Sequence, residues 1–139
     1  MIARNDMEVP CSILLIENDS GCRKLAENIL SHLGCRCIAA QNGAEALRFA
    51  QAYHIDLVIT DIVLPDCDGL QLAQSIRSFK KYAALPLIMV TGLSDAAARL
   101  KAVGLDGTAA IQKPYRVAQF KKVVMETLEQ SAIFEGGLL

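Results

Sequence analysis

Short apolar runs and helix-spaced apolar positions alternate along this chain almost from end to end. Ser12-Ile13-Leu14-Leu15-Ile16 is nearly all apolar and stops at Glu17-Asn18-Asp19, the pattern of a buried strand whose C-terminal end carries acids. Cys22, Leu25, Ala26, Ile29, Leu30 and Leu33 then recur at three- and four-residue spacing. That spacing predicts a helix face, and Gly34 is its natural stop. A second short strand is expected over Arg36 to Ala40 and a second helix from Gly43 to Tyr53, with Ala46, Leu47 and Ala50 inward. A third buried strand over Asp56 to Thr60 delivers Asp61 to its end, and Pro65 and Gly69 punctuate the loop that follows.

The alternation continues to the end of the chain. A third helix is expected from about Leu70 to Phe79, with Leu72, Ala73 and Ile76 as its apolar side. Pro86 to Val90 reads as a fourth strand that hands over to Thr91, and Ser94 can cap a fourth helix running through Val103. A fifth strand over Thr108 to Gln112 ends at Lys113-Pro114. The last helix, from Arg116 to about Gln130, should bury Val117, Phe120, Val124 and Leu128. Strands and helices alternating through short loops imply an α/β fold with one doubly wound, five-stranded parallel sheet covered on both faces. Right-handed crossovers leave few strand orders, of which 2-1-3-4-5 is the one expected.

Composition narrows the class without changing the fold. At 139 residues the chain is one domain long, and such a domain buries roughly two thirds of its unfolded surface without a disulfide or metal staple. Trp is absent and aromatics make up only 5%, so aliphatic side chains must fill the core. The formal net charge of −1 gives no electrostatic reason to expect nucleic acid or a membrane as partner. Cys11, Cys22, Cys35, Cys37 and Cys67 form an odd set without the spacing of a secreted framework. Cys35 and Cys37 would share a strand face, but no second ligand pair accompanies them, so reduced thiols acting as small hydrophobes are expected. Residues 1–10 have no apolar core to make a signal peptide, and no apolar run is long enough to span a bilayer. The expectation is a cytoplasmic protein with an arm at 1–10, a domain at 11–131 and a tail at 132–139 too short for an output domain.

In an open parallel sheet, ligands bind beyond the carboxyl ends of the strands where strand order reverses. Glu17 and Asn18 follow the first strand, Asp61 the third, Thr91 the fourth and Lys113 the fifth, so these scattered residues should converge on one edge. Two carboxylates about 5 Å apart repel by roughly 3 kcal/mol at an effective dielectric near 20. Lys113 would supply one neutralising charge, and Mg²⁺ suits the remainder because it takes one or two carboxylates with waters and phosphate oxygens. A carboxylate is a competent nucleophile toward phosphorus.

These segments resemble the receiver domains of bacterial two-component response regulators. The resemblance runs from Ile13 to about Leu128 and rests on Ile-Leu-Leu-Ile-Glu-Asn-Asp at 13 to 19, Asn42-Gly43-Ala44-Glu45-Ala46-Leu47, Asp61-Ile62-Val63-Leu64-Pro65, Asp68-Gly69, Val90-Thr91-Gly92 and Lys113-Pro114-Tyr115. It implies a flavodoxin-like fold and a phosphorelay role in which Asp61 takes phosphate from a histidine kinase or histidine phosphotransfer protein. It further implies that Glu17, Asn18, Asp61 and the backbone carbonyl of Val63 bind Mg²⁺, and that Thr91 and Lys113 bind the phosphoryl oxygens. The switch would then repack the face of helix four, strand five and helix five, where a downstream protein target binds.

The chain departs from that family's pattern in places. Asn18 stands where an aspartate is usual, which weakens metal binding or, in the alternative reading, leaves a degenerate receiver acting as a phosphorylation-independent interaction module. Ala110 replaces the usual switch aromatic, Tyr115 reads either as its substitute or as a tyrosine partly packed at a helix start, and the segment from Gly104 to Lys113 looks about two residues longer than is common. The positions two beyond Asp61 and Thr91 are Val63 and Leu93, neither able to activate water, which implies a slow-decaying phosphate. Asp106-Gly107-Thr108 resembles the motif of aspartate-dependent phosphatases but lacks the second acid and reads as a turn. A flavin site is disfavoured because acids, rather than glycines and hydroxyls, follow the first strand. His32 and His54 read as solvated or capping groups. Asp19, Asp66 and Asp68 read as loop and turn formers, with Asp19 able to offset Asn18 in part.

Overall fold

The computed structural model describes residues 11–92, 94–105 and 107–136. The elements alternate as β1 (Ser12–Ile16), α1 (Ser20–His32), β2 (Arg36–Ala40), α2 (Gly43–Ala52), β3 (Leu57–Thr60), α3 (Gly69–Arg77), β4 (Leu87–Thr91), α4 (Ala96–Ala102), β5 (Ala109–Gln112) and α5 (Val117–Gly136). A 3-10 turn at Lys80–Tyr82 leads into β4. All neighbouring strands are parallel, in the order β2-β1-β3-β4-β5, as the sequence pattern predicts. The expected arm at 1–10, Leu93, Asp106 and the last three residues of the tail lie outside the described residues.

Alternation along each strand sorts the core into two halves, because successive side chains of a strand point to opposite faces. Leu14, Ile16, Val58, Leu87 and Met89 pack on one face against Ala46 and Ala50 of α2, Leu72, Ala73 and Ile76 of α3, and Leu100 of α4. Ile13, Leu15, Leu57, Ile59, Ile88, Val90 and Ile111 pack on the other against Ala26, Ile29 and Leu30 of α1 and Phe120 and Val124 of α5. Central strands therefore read as continuous apolar runs, since both faces are covered. At the edge, β5 buries only Ile111.

The first three helices are each capped by a polar side chain. Asp19 accepts the Cys22 N–H through Oδ2 at 2.8 Å, Asn42 the Glu45 N–H through Oδ1 at 2.9 Å, and Asp68 the Leu70 N–H through Oδ1 at 2.7 Å, each satisfying an N–H the helix itself leaves unpaired. Gly34, at φ 80°, closes α1 in the left-handed region. Three details differ from expectation. Asp95, not Ser94, is the N-cap residue of α4, and no side chain closes that cap; Ser94 lies one position too far out to reach the first free N–H groups. Leu25 is 45% exposed because it sits on the flank of the α1 stripe, and Val117 is 43% exposed because α5 first meets the core at Phe120. The last helix also continues beyond Gln130 to Gly136, since no proline or glycine intervenes to stop it.

Candidate functional site

The carboxyl ends of the strands bring together three of the predicted side chains in direct contact. Glu17 leaves β1 and is 7% exposed. Its Oε1 accepts from Lys113 Nζ at 2.7 Å and its Oε2 from the Asp19 N–H at 3.0 Å. Asp61 leaves β3, and its Oδ2 accepts from the same Nζ at 2.9 Å while its Oδ1 accepts from the Val63 N–H at 3.1 Å. Lys113 thus bridges two carboxylates that come from strands on either side of the sheet's reversal point. Burial alone works against a charged ammonium here, but the hydrogen bonds and charges of Glu17 and Asp61 outweigh it and hold Lys113 protonated above the ordinary lysine range.

Backbone bonds hold the edge in register. The Asp61 N–H donates to the Ile16 carbonyl at 3.2 Å, and the Lys113 N–H donates to the Thr91 carbonyl at 2.8 Å. Thr91, the last residue of β4, is buried at 1% exposure, so a hydroxyl is built into this edge rather than left on the surface. Asn18 is exposed beside Glu17, and Arg23 fixes its loop by donating to the Glu17 and Asn18 carbonyls at 3.0 and 3.1 Å. Val63 stands at the rim, 65% exposed. Tyr115 stacks on Phe120 with ring centroids 4.9 Å apart, and burial, then the neighbouring Cys22, pushes its phenol up.

Several residues around the site have roles that the sequence did not disclose. Asp66 accepts the Gly43 and Ala44 N–H groups at 2.8 and 3.0 Å. It thereby ties the loop after Asp61 to the start of α2, and those two bonds hold its carboxyl below the usual range. Asp68 uses its second oxygen on Arg99 of α4 at 2.6 Å. Asp19 caps α1 through Oδ2, and its bonds to Cys22 hold its carboxyl below the usual range. Gly69 is required sterically: a Cβ there would collide with the Asp61 carbonyl, and its N–H donates to the Ile62 carbonyl at 2.6 Å. His32 contacts the Asn28 carbonyl and His54 contacts Asp56, at 2.8 and 2.9 Å, both in capping or solvated positions. A cleft of about 370 Å³, lined by Cys11, His54, Asp56, Lys81 and Tyr82 among others, lies at the opposite edge of the sheet, where the strands begin.

Residues 13–125 match the family model for the response regulator receiver domain. The chain belongs to that family. Among its relatives, the transcriptional regulatory protein GltR of Pseudomonas aeruginosa is 36% identical over 104 residues, covering 75% of this chain and 43% of that protein. The probable transcriptional regulator ycf27 of Guillardia theta is 30% identical over 126 residues, covering 91% and 48%. The response regulator TrrA of Thermotoga maritima, solved in complex with Mg²⁺-BeF, is 29% identical with a TM-score of 0.74, covering 84% of this chain and 98% of that one. The chemotaxis protein CheY4 of Vibrio cholerae, at 24% identity and a TM-score of 0.78 over 85% of this chain and 98% of that one, shares the fold.

This receiver domain spans about half the length of the curated relatives it matches. Those relatives are named as regulators, in line with a signalling rather than a metabolic role. Several are named as transcriptional regulators, so the expectation of no nucleic-acid partner is unsupported. Among the described residues, no helix is long and apolar enough to cross a membrane.

Proposed function

We propose that Asp61 accepts a phosphoryl group from a phosphohistidine on a histidine kinase or histidine phosphotransfer protein. In that step an Asp61 oxygen attacks phosphorus, the P–N bond breaks, and the imidazole nitrogen leaves with the electron pair and takes up a proton. The observation that carries this reading is the Lys113 ammonium held between Glu17 and Asp61, a fixed positive charge beside the nucleophile where oxyanion charge would build. Thr91 and Lys113 would bind the phosphoryl oxygens. The added negative charge would then bias α4, β5 and α5 toward a second packing that a downstream protein reads.

The donor set fits Mg²⁺ as the cofactor. Glu17, Asp61, the Asn18 amide and the Val63 carbonyl offer hard oxygens, the kind that Mg²⁺ prefers. Each carboxylate oxygen of Glu17 and Asp61 accepts a hydrogen bond, and such an oxygen has more than one acceptor site. One unit of negative charge also remains after Lys113 is counted. When bound, Mg²⁺ would supply positive charge to the phosphoryl oxygens. Apolar Val63 at the rim cannot orient a water for attack, so the phosphate should decay slowly; a lifetime of seconds would overturn that point.

A second reading is favoured by Asn18: a receiver that no longer takes phosphate and works as a protein-binding module. The two are separated by incubating the protein with Mg²⁺ and a small acyl phosphate, then repeating with Asp61→Asn. Mass gain of one phosphoryl group in the first only supports phosphoacceptance. No gain in either supports the degenerate receiver.

A further inference from the structure

The five cysteines are all free thiols, but two of them are not independent. Cys11 and Cys35 face each other with their sulfurs 3.2 Å apart, although 24 positions separate them in sequence. Strand register explains the meeting. Ser12 pairs with Arg36 in the parallel ladder of β1 and β2, and the Arg36 N–H donates to the Cys11 carbonyl at 2.9 Å. Cys11 and Cys35 are therefore the next opposed pair, one step before the ladder begins. Both are partly exposed and pack on the face covered by α1 and α5. Cys11 also lines the cleft at this end of the sheet.

The geometry points to a disulfide site: Cys11 and Cys35 form a reversible cross-link between the first residues of β1 and β2 when the protein meets a peroxide. Neighbouring strands lie about 4.8 Å apart, inside the Cα separation of roughly 4.4–6.8 Å that a disulfide bridges. The sulfurs need to close by only about 1 Å. Because the two residues stand outside the regular strands, rotation of their side chains does not break the ladder. Among adjacent thiols the pair is also distinguished electronically. The contact with Cys11 lowers the Cys35 thiol, whereas the contact with Cys35 and then burial raise that of Cys11. Cys37, on the same face two residues on, is pushed up to about 12 by burial and stays a poorly nucleophilic thiol.

The chemistry balances with hydrogen peroxide as oxidant. The Cys35 thiolate attacks one peroxide oxygen, the O–O bond breaks, and the departing hydroxide takes a proton to leave as water. The Cys11 thiol then attacks the Cys35 sulfenic acid sulfur, the S–O bond breaks, and a second water leaves with the Cys11 proton. The two sulfurs together lose two electrons, and a dithiol reductant returns them by exchange. The site lies at the sheet edge opposite Asp61, so it does not depend on the phosphoacceptor reading.

The test is peptide mapping of the intact protein after brief treatment with hydrogen peroxide, with free thiols alkylated before digestion. The expected result is a linked pair of peptides carrying Cys11 and Cys35, removed by a dithiol and absent from Cys11→Ser and Cys35→Ser. Far-ultraviolet circular dichroism of each variant checks that the fold is kept, and the wild-type map stands even if a variant does not fold. Recovery of Cys11 as a free alkylated thiol while Cys35 is joined to Cys37, or oxidation of either to a sulfinic acid without a linked peptide, would overturn the proposal.

Discussion

Replacing Lys113 with methionine keeps most of the apolar stem and removes the charge that binds Glu17 to Asp61. Both carboxylates contact one nitrogen at 2.7 and 2.9 Å, which leaves them about 5 Å apart and repelling by roughly 3 kcal/mol at an effective dielectric near 20. Removing one partner from a buried ion pair typically costs about 3–5 kcal/mol. Here water reaches the rim, with the Lys113, Glu17 and Asp61 side chains 22%, 9% and 14% exposed, so the expected loss is about 2–3 kcal/mol. With a urea dependence of about 2 kcal/mol per molar, the unfolding midpoint of Lys113→Met should fall by about 1–1.5 M in the presence of a chelator. Under the Mg²⁺ reading the variant site carries two negative charges instead of one, so added Mg²⁺ should stabilise it more than it stabilises the wild type. A metal concentration ten times the dissociation constant contributes about 1.4 kcal/mol. The assay is urea unfolding followed by circular dichroism, with and without Mg²⁺. An unchanged midpoint, or a fall that Mg²⁺ repairs no better than it stabilises the wild type, would refute the view that Lys113 holds the place of a missing cationic charge.

Other expectations follow from single contacts. Asn18→Asp restores a charged oxygen ligand and should raise Mg²⁺ affinity roughly tenfold, read by calorimetric titration; equal affinities would remove Asn18 from the ligand set. Tyr82 is 2% exposed, and its hydroxyl accepts the Ile55 N–H at 3.2 Å and lies 2.9 and 2.8 Å from the Ala50 and Tyr53 carbonyls. Tyr82→Phe leaves these groups unpaired and should cost about 1–3 kcal/mol in urea unfolding. Burial pushes the Cys37 thiol up to about 12, so between the ordinary thiol value and that point the unfolded chain has lost a proton that the folded one keeps. Its contribution is full at lower pH and is lost as pH rises. Wild type should therefore lose stability with pH above about 9 more steeply than Cys37→Ala, and parallel profiles would contradict the assignment.

Much of the fold is legible because strand burial and helix burial leave different marks. Leu57-Val58-Ile59 is apolar throughout because Val58 faces one helix layer while Leu57 and Ile59 face the other. Asp61 could be placed at the sheet's carboxyl edge because it is the first residue past that strand. Element ends were read less well. The hydroxyl of Ser94 is a good cap by type, yet Asp95 stands at the N-cap of α4.

What the one-dimensional pattern determined was the alternation of elements, the two-sided core and the set of polar residues at strand ends, since each depends on neighbours a few positions away. What the three-dimensional packing alone decided was which of those residues touch. Lys113 reaches Glu17 across 96 positions of sequence, Asp66 joins its loop to the start of α2, and Cys11 meets Cys35 through strand register. Such meetings are set by the order and offset of strands, and a side chain carries no local signal of its partner on another strand.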